Sequence, residues 1–353
     1  MNPLTLPLLP LAWMYDGVTR LRNFLFDKGF RRQRSFTLPA IAIGNLAVGG
    51  TGKTPHADYT VNLLKHSLRV ALLSRGYGRR TKGFREATAS STAEEIGDEP
   101  LQLHLKHPDI RVAVCEDRCK GIDQLLSAGE APQVIVLDDA YQHRYVKAGL
   151  YVLLTDFHRL YSSDYLLPYG RLREARCGAR RADIVIVTKC PPALTEEETA
   201  QVRAQLNPLP TQTVLFSTMT YGPLRPLFPD EAAAEVDEQS ALVVAGIAHP
   251  EPLVQHFAEK DASVRLLRFA DHHAFTASDV DRIEAAFSSL PAGTLVVTTE
   301  KDAVRLRPWA SRMSSKLRRA LRVQPIEVAF LSNGMEIYNH IIINYARNNQ
   351  TNS

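Results

Sequence analysis

The sequence predicts an α/β protein of two domains, a doubly wound sheet domain and a smaller α/β domain, and three observations carry that expectation. The chain has 353 residues, more than one ordinary core needs and about right for two at roughly 150 residues per domain. Short apolar runs alternate with helical segments through most of its length, as they do where a parallel sheet is covered on both faces. Finally, Pro223, Pro226 and Pro229 gather beside Gly222, a composition that reads as a linker.

The apolar runs at 40–44, 70–74, 112–115, 134–138, 151–154 and 184–188 supply six strands for the first domain. Runs at 241–245, 264–269, 294–299 and 326–330 supply the second, and a helix over 336–346 closes the chain. The expected divisions are an N-terminal helix within 1–35, the sheet domain at 36–215, a narrow linker at 216–235, the smaller domain at 236–333, and a helix with its tail at 334–353.

Composition narrows the function classes. Apolar residues make up 45% and charged residues 23%, a balance that fills two cores and excludes wholesale disorder. A net charge of +4 points to no nucleic-acid partner. Cys115, Cys119, Cys177 and Cys190 form no CxxC pair and have no histidine at metal-ligand spacing, so reduced, packed thiols are expected. Pro3, Pro7 and Pro10 interrupt Leu4, Leu6, Leu8 and Leu9, which argues against a signal peptide. No run reaches the roughly 18–20 apolar residues of a membrane-spanning helix. A cytoplasmic protein with at most a surface attachment is therefore expected.

Leu11, Met14, Tyr15, Val18, Leu21 and Leu25 recur at helical spacing, with Trp13, Phe24 and Phe26 widening the stripe. Arg20, Arg22, Lys28, Arg31, Arg32 and Arg34 border it. This pattern fits a helix lying on an anionic leaflet. It fits equally a helix docked on the protein's own core with a solvated basic edge.

The strongest motif follows the first strand: Gly49, Gly50, Thr51, Gly52, Lys53 and Thr54 lead directly into a helix. Glycines let successive backbone N–H groups turn around phosphate oxygens, and the helix start adds its positive end. Lys53 then reaches the β- and γ-phosphates, and Thr54 offers a hydroxyl to Mg²⁺. Ala47 stands where the strict P-loop pattern has glycine, and Val48 stands where a related loop of dimeric ATPases carries a lysine. The run 134–138 ends in Asp138 and Asp139, carboxylates placed either to hold the metal or to cap the next helix. Gln142, His143 and Arg144 follow and are candidates for the same crevice. Pro191 replaces the aspartate that would follow Thr188 and Lys189 in a guanine-selecting signature.

In their joint order these motifs resemble the tetraacyldisaccharide 4'-kinase family. The resemblance rests on the loop through Pro55, on Ser74, Arg75, Gly76, Tyr77 and Gly78, and on Gly97, Asp98, Glu99 and Pro100. It continues through the stretch from Asp138 to Arg144, through Pro168, Tyr169, Gly170, Arg171, Leu172, Arg173 and Glu174, through Phe269, Ala270, Asp271, His272 and His273, and through Thr299, Glu300, Lys301 and Asp302. Ala140 stands where the family usually has glycine.

The resemblance implies a P-loop fold, ATP with Mg²⁺, and phosphate transfer to the 4'-hydroxyl of a tetraacyldisaccharide 1-phosphate, giving lipid IVA. It implies a lipid substrate and a peripheral place on the cytoplasmic face of the bacterial inner membrane. It also implies a base, Asp98, working with His272. On residues alone Asp98, two before Pro100, reads as a helix N-cap, and adjacent His273 should point away from His272. With His272 in the second domain, the dyad is expected to meet only on domain closure. Arg171 and Arg173 are expected on the acceptor's phosphate, since a planar guanidinium suits that group. Tyr77 and His143 are expected on the substrate side. Glu300, Lys301 and Asp302 receive no role. Two other readings remain: a soluble kinase of a small metabolite, and a nucleotide-driven ATPase that hydrolyses ATP without an acceptor.

Overall fold

The computed structural model describes residues 7–231, 237–260 and 262–348; Pro3, Leu4 and Leu6, the linker residues 232–236 and the tail 349–353 lie outside the described residues. Fourteen strands occur among them: β1 (Ala40–Asn45), β2 (Val70–Ser74), β3 (Arg85–Glu86), β4 (Arg111–Val114), β5 (Val134–Asp138), β6 (Leu150–Asp156), β7 (Ile184–Thr188), β8 (Thr213–Tyr221), β9 (Arg225–Pro226), β10 (Asp237–Ala245), β11 (Ser263–Arg268), β12 (Thr294–Thr299), β13 (Leu321–Gln324) and β14 (Ile326–Phe330).

The larger sheet runs β14-β8-β7-β6-β1-β5-β2-β4-β3. Its inner pairs are parallel, and β3 joins β4 antiparallel at the edge. Every residue of β1, β2, β5 and β7 is buried, which is why these runs read as continuously apolar. Alternate side chains serve opposite faces. Ile41, Ile43, Leu72 and Val136 pack with Ala57, Val61 and Leu64 of the helix Lys53–Lys65. Ala42, Leu73, Ile135 and Leu137 pack with Ile122 and Leu125 of the helix Arg118–Ser127. From β1 the chain winds outward through β2 and β4, returns to β5 beside β1, then crosses to β6 on its other side. Such a reversal point is where open α/β sheets bind ligands, at the carboxyl ends of the strands.

The smaller sheet runs β11-β10-β12-β13-β9, parallel except for the short edge strand β9. Leu242, Val244 and Val296 face one core, and Val243, Leu295 and Val297 face another.

The chain groups into two compact units, Met1–Ser91 with Leu103–Thr220 and Val328–Ser353, and Thr92–Gln102 with Tyr221–Glu327. This departs from the expected divisions at three places. Residues 92–102 leave the sheet domain for the second unit, because Glu99 and Gln102 bond to Lys301 and Glu300. Residues 216–221, read as linker, are strand. The run 326–330 joins the larger sheet, and β13, not foreseen, takes its place in the smaller one. Pro325 separates the two runs and has no N–H with which to continue a ladder. The closing helix, Gly334–Asn348, inserts Tyr338, Ile342 and Ala346 into the larger sheet's core.

Candidate active site

The phosphate loop leaves β1 at its carboxyl end. Gly49 and Gly52 hold positive φ, +112° and +81°, conformations that favour glycine. Gly52 is also the cap residue of the helix Lys53–Lys65. The loop is braced from three sides. Val48 N–H donates to Arg171 O at 2.8 Å and Arg173 N–H to Leu46 O at 2.7 Å. Asn45 Nδ2 donates to Thr51 Oγ1 at 2.7 Å, and Thr188 Oγ1 to Thr51 O at 3.0 Å. Beneath it lies His56, wholly buried, with Nδ1 2.8 Å from Gly52 O and Nε2 3.1 Å from Ser217 Oγ. A carbonyl only accepts, so Nδ1 carries the proton and the Ser217 hydroxyl donates to Nε2. Burial pushes His56 down to about 4, which keeps the ring neutral.

β5 lies beside β1 with Asp138 opposite Ile43. Both aspartates thus emerge at the carboxyl end where the loop begins. Asp138 is buried. Asp139, at a positive φ of 46°, turns its carboxylate toward Lys53, Oδ1 to Nζ at 3.7 Å. Arg173 donates to the same carboxylate at 2.8 and 3.3 Å and also to Asn45 Oδ1. Burial would raise the Asp139 carboxyl, but Lys53, then Arg173 and Arg118, hold it below the usual carboxylate range. Burial pushes Arg118 itself down to about 10 against the pull of Asp138 and Asp139.

Of the residues expected to face the acceptor, Arg171 lies at the loop, its Nη1 3.9 Å from where a Cβ on Gly49 would sit. Arg173 is turned to Asp139. Tyr77 is 82% exposed. The His143 ring accepts the Arg118 N–H at 3.3 Å, and burial, then Arg118, push it down to about 4. Cys177 is exposed rather than packed.

The second unit holds the other expected pair. Asp98 begins the helix Asp98–Lys106. Its Oδ2 lies 3.5 Å from His272 Nδ1 and accepts from Arg305 Nη2. Both partners belong to one compact unit, so their meeting needs no closure. Burial would raise the Asp98 carboxyl, but the Arg305 guanidinium holds it below the usual range. His273 turns elsewhere: it bonds Asp279 at 2.9 Å and stacks on Phe269.

The family model described as tetraacyldisaccharide-1-P 4'-kinase, LpxK, matches residues 4–342. The chain belongs to this family. Among its relatives are the tetraacyldisaccharide 4'-kinases of Bacteroides fragilis, 48% identical over 98% of this chain and 94% of that protein, and of Flavobacterium johnsoniae, 46% identical over 99% of both. The crystal structure of LpxK from Aquifex aeolicus in complex with ATP matches with a TM-score of 0.75 at 27% identity, covering 97% of this chain and 99% of that one. This 4'-kinase chain is therefore an enzyme with the P-loop kinase fold.

Sequence reasoning missed several residues of this candidate site. Asn45 and Thr188 brace the loop, yet Asn45 read only as the residue after the first strand and Thr188 only as part of a guanine-selecting signature that fails at Pro191. His56 and Ser217, 161 residues apart, left no signal in one sequence. Arg305 lies one helical turn beyond Asp302, and that spacing was the available clue.

Proposed function

We propose that this chain transfers the γ-phosphate of ATP to the 4'-hydroxyl of a tetraacyldisaccharide 1-phosphate, yielding a lipid IVA-type bisphosphate. The arrangement that carries the reading is Lys53 and Arg173 converging on Asp139 beside the glycine loop, in a chain of this family. Phosphoryl transfer has a loose transition state, so neutralising phosphate charge and aligning the acceptor do most of the work. Lys53 and the loop amides supply the first. Thr54, Asp138 and Asp139 offer hard oxygen ligands of the kind Mg²⁺ takes, and the ion, when bound, supplies further positive charge to the terminal phosphates.

Asp98 accepts the proton of the 4'-hydroxyl as that oxygen bonds the γ-phosphorus and the bond to the ADP oxygen breaks. A carboxylate held below its usual range is a modest base, which suffices because the proton leaves late in a loose transition state. Arg171 meets the acceptor's 1-phosphate, and Tyr77 and His143 lie on the substrate side.

The helix Leu9–Asp27 supports a peripheral place on the cytoplasmic face of the inner membrane. It buries Ala12, Thr19 and Phe26 and turns Leu11, Trp13, Met14, Val18, Leu21 and Phe24 outward. No helix among the described residues is long and apolar enough to cross a membrane. The test supplies purified protein with radiolabelled ATP and tetraacyldisaccharide 1-phosphate in mixed micelles. A labelled bisphosphorylated lipid is expected, and ATP hydrolysis without lipid labelling refutes the proposal.

A further inference from the structure

Glu300, Lys301 and Asp302 had no role in the sequence, and the structure places all three against the residues around Asp98. Lys301 Nζ meets Glu99 Oε1 at 2.7 Å and Gln102 Nε2 meets Glu300 Oε2 at 3.2 Å. Asp302 is fully buried; its Oδ2 accepts from Gly246 N–H at 2.9 Å and from Thr299 Oγ1 at 2.7 Å. Its Oδ1 lies 3.6 Å from Arg305 Nη1, one turn along the helix Glu300–Leu306. A carboxylate of its own helix thus lies beside the inner arm of the Arg305 guanidinium, beyond hydrogen-bond distance.

Its outer nitrogen, Nη2, meets both Asp98 Oδ2 and His272 Nδ1, the latter at 3.0 Å. A guanidinium has only donors and stays protonated in proteins. The contact with Nδ1 therefore requires that nitrogen's lone pair and puts the imidazole proton on Nε2. His272 is held to this orientation by its backbone, at a positive φ of 57° with its N–H donating to Gly246 O at 3.1 Å.

We infer that Arg305 is a positioning residue for the phosphate transfer, holding the Asp98 carboxylate and His272 Nδ1 together as unprotonated acceptors on one guanidinium nitrogen. The inference rests on the reading of Asp98 as the proton acceptor. The charged and titratable groups that act on Arg305 are Asp98 from the helix Asp98–Lys106, Asp302 from its own helix, and Asp271 and His272 from the loop after β11. Arg305 bonds the Asp98 carboxylate directly, with the Asp302 carboxylate 3.6 Å from its other arm.

The experiment uses the full chain and compares wild type with R305M, R305K and D98N. Steady-state transfer from ATP to tetraacyldisaccharide 1-phosphate is followed from about pH 5 to 9, and the His272 tautomer is read by ¹⁵N NMR, assigned with H272N. In R305M the acidic limb of kcat should move up by roughly one to three units. Its ATP KM should stay within about twofold, since the phosphate loop is untouched, and His272 should lose its Nε2–H preference. R305K keeps the charge without the fork; it should restore most of the limb but not the tautomer, and it carries the test if R305M fails to fold. An unmoved limb and an unchanged tautomer overturn the inference. A D98N enzyme with wild-type kcat instead refutes Asp98 as the acceptor, and the tautomer result then judges Arg305 separately.

Discussion

Arg173 grips Asp139 with both arms of its guanidinium, Nη2 to Oδ1 at 2.8 Å and Nη1 to Oδ2 at 3.3 Å. The fork holds a partly buried carboxylate ionised beside Lys53 and fixes where it points. R173M should lower kcat/KM for ATP about 100-fold, and D139N should do the same. Because the two side chains act as one unit, the double variant should be little worse than either single one, a coupling above about 1 kcal/mol in a double-mutant cycle. Additive losses would mean that the pair does not work as a unit.

Gly52 cannot gain a side chain cheaply. Its φ is +81°, which strains any L side chain, whereas the Met219 Cε that an added Cβ would meet is the end of a flexible side chain and can swing aside. G52A should lose stability by about 1–3 kcal/mol and most of its ATP turnover. Adding M219A should return little of the stability, because the loss comes from the backbone strain rather than from the Met219 methyl. Urea unfolding of the wild type and the two variants separates the contributions.

His56 couples stability to pH. Its ring is neutral when folded, titrating at about 4 rather than 6.5, so the unfolded chain binds more protons between those values. Stability should be fully present above pH 6.5 and decline as pH falls toward 4, by up to about 3 kcal/mol. His143, also pushed down to about 4, adds slope in the same window. Denaturant midpoints of wild type and H56Q across this range should differ in slope, with the variant flatter. Equal slopes would show that the buried ring does not set the dependence.

The outward apolar stripe should bind anionic lipid. Trp13 and Met14 are each 70% exposed and Val18 is 67% exposed, so replacing all three by serine removes contact with a bilayer while disturbing little of the fold. Co-sedimentation with phosphatidylglycerol vesicles should fall about tenfold or more. The residual binding should weaken with salt, because Arg20, Lys28, Arg31 and Arg32 remain.

Much of this architecture was legible in the sequence because burial on both faces of a parallel sheet leaves unbroken apolar runs, and β1, β2, β5 and β7 announced themselves that way. The glycine loop was legible because its conformation demands glycine locally. β8 and β13 were harder to see. One runs into a proline-rich stretch that imitates a linker, and the other is a short segment cut from β14 by Pro325. The position of 92–102 in the second unit was hidden because the Glu99 and Gln102 contacts reach across about 200 residues.

The sequence by itself determined the fold class, the phosphate loop with Lys53 and Thr54, and the acidic end of β5, since each depends on residues adjacent in the chain. Only the tertiary structure decided which groups surround them: Arg173 on Asp139, His56 under Gly52, and Arg305 between Asp98 and His272. The physical reason is that hydrogen bonds and ion pairs act over a few ångströms, and folding alone brings residues so distant in sequence within that reach.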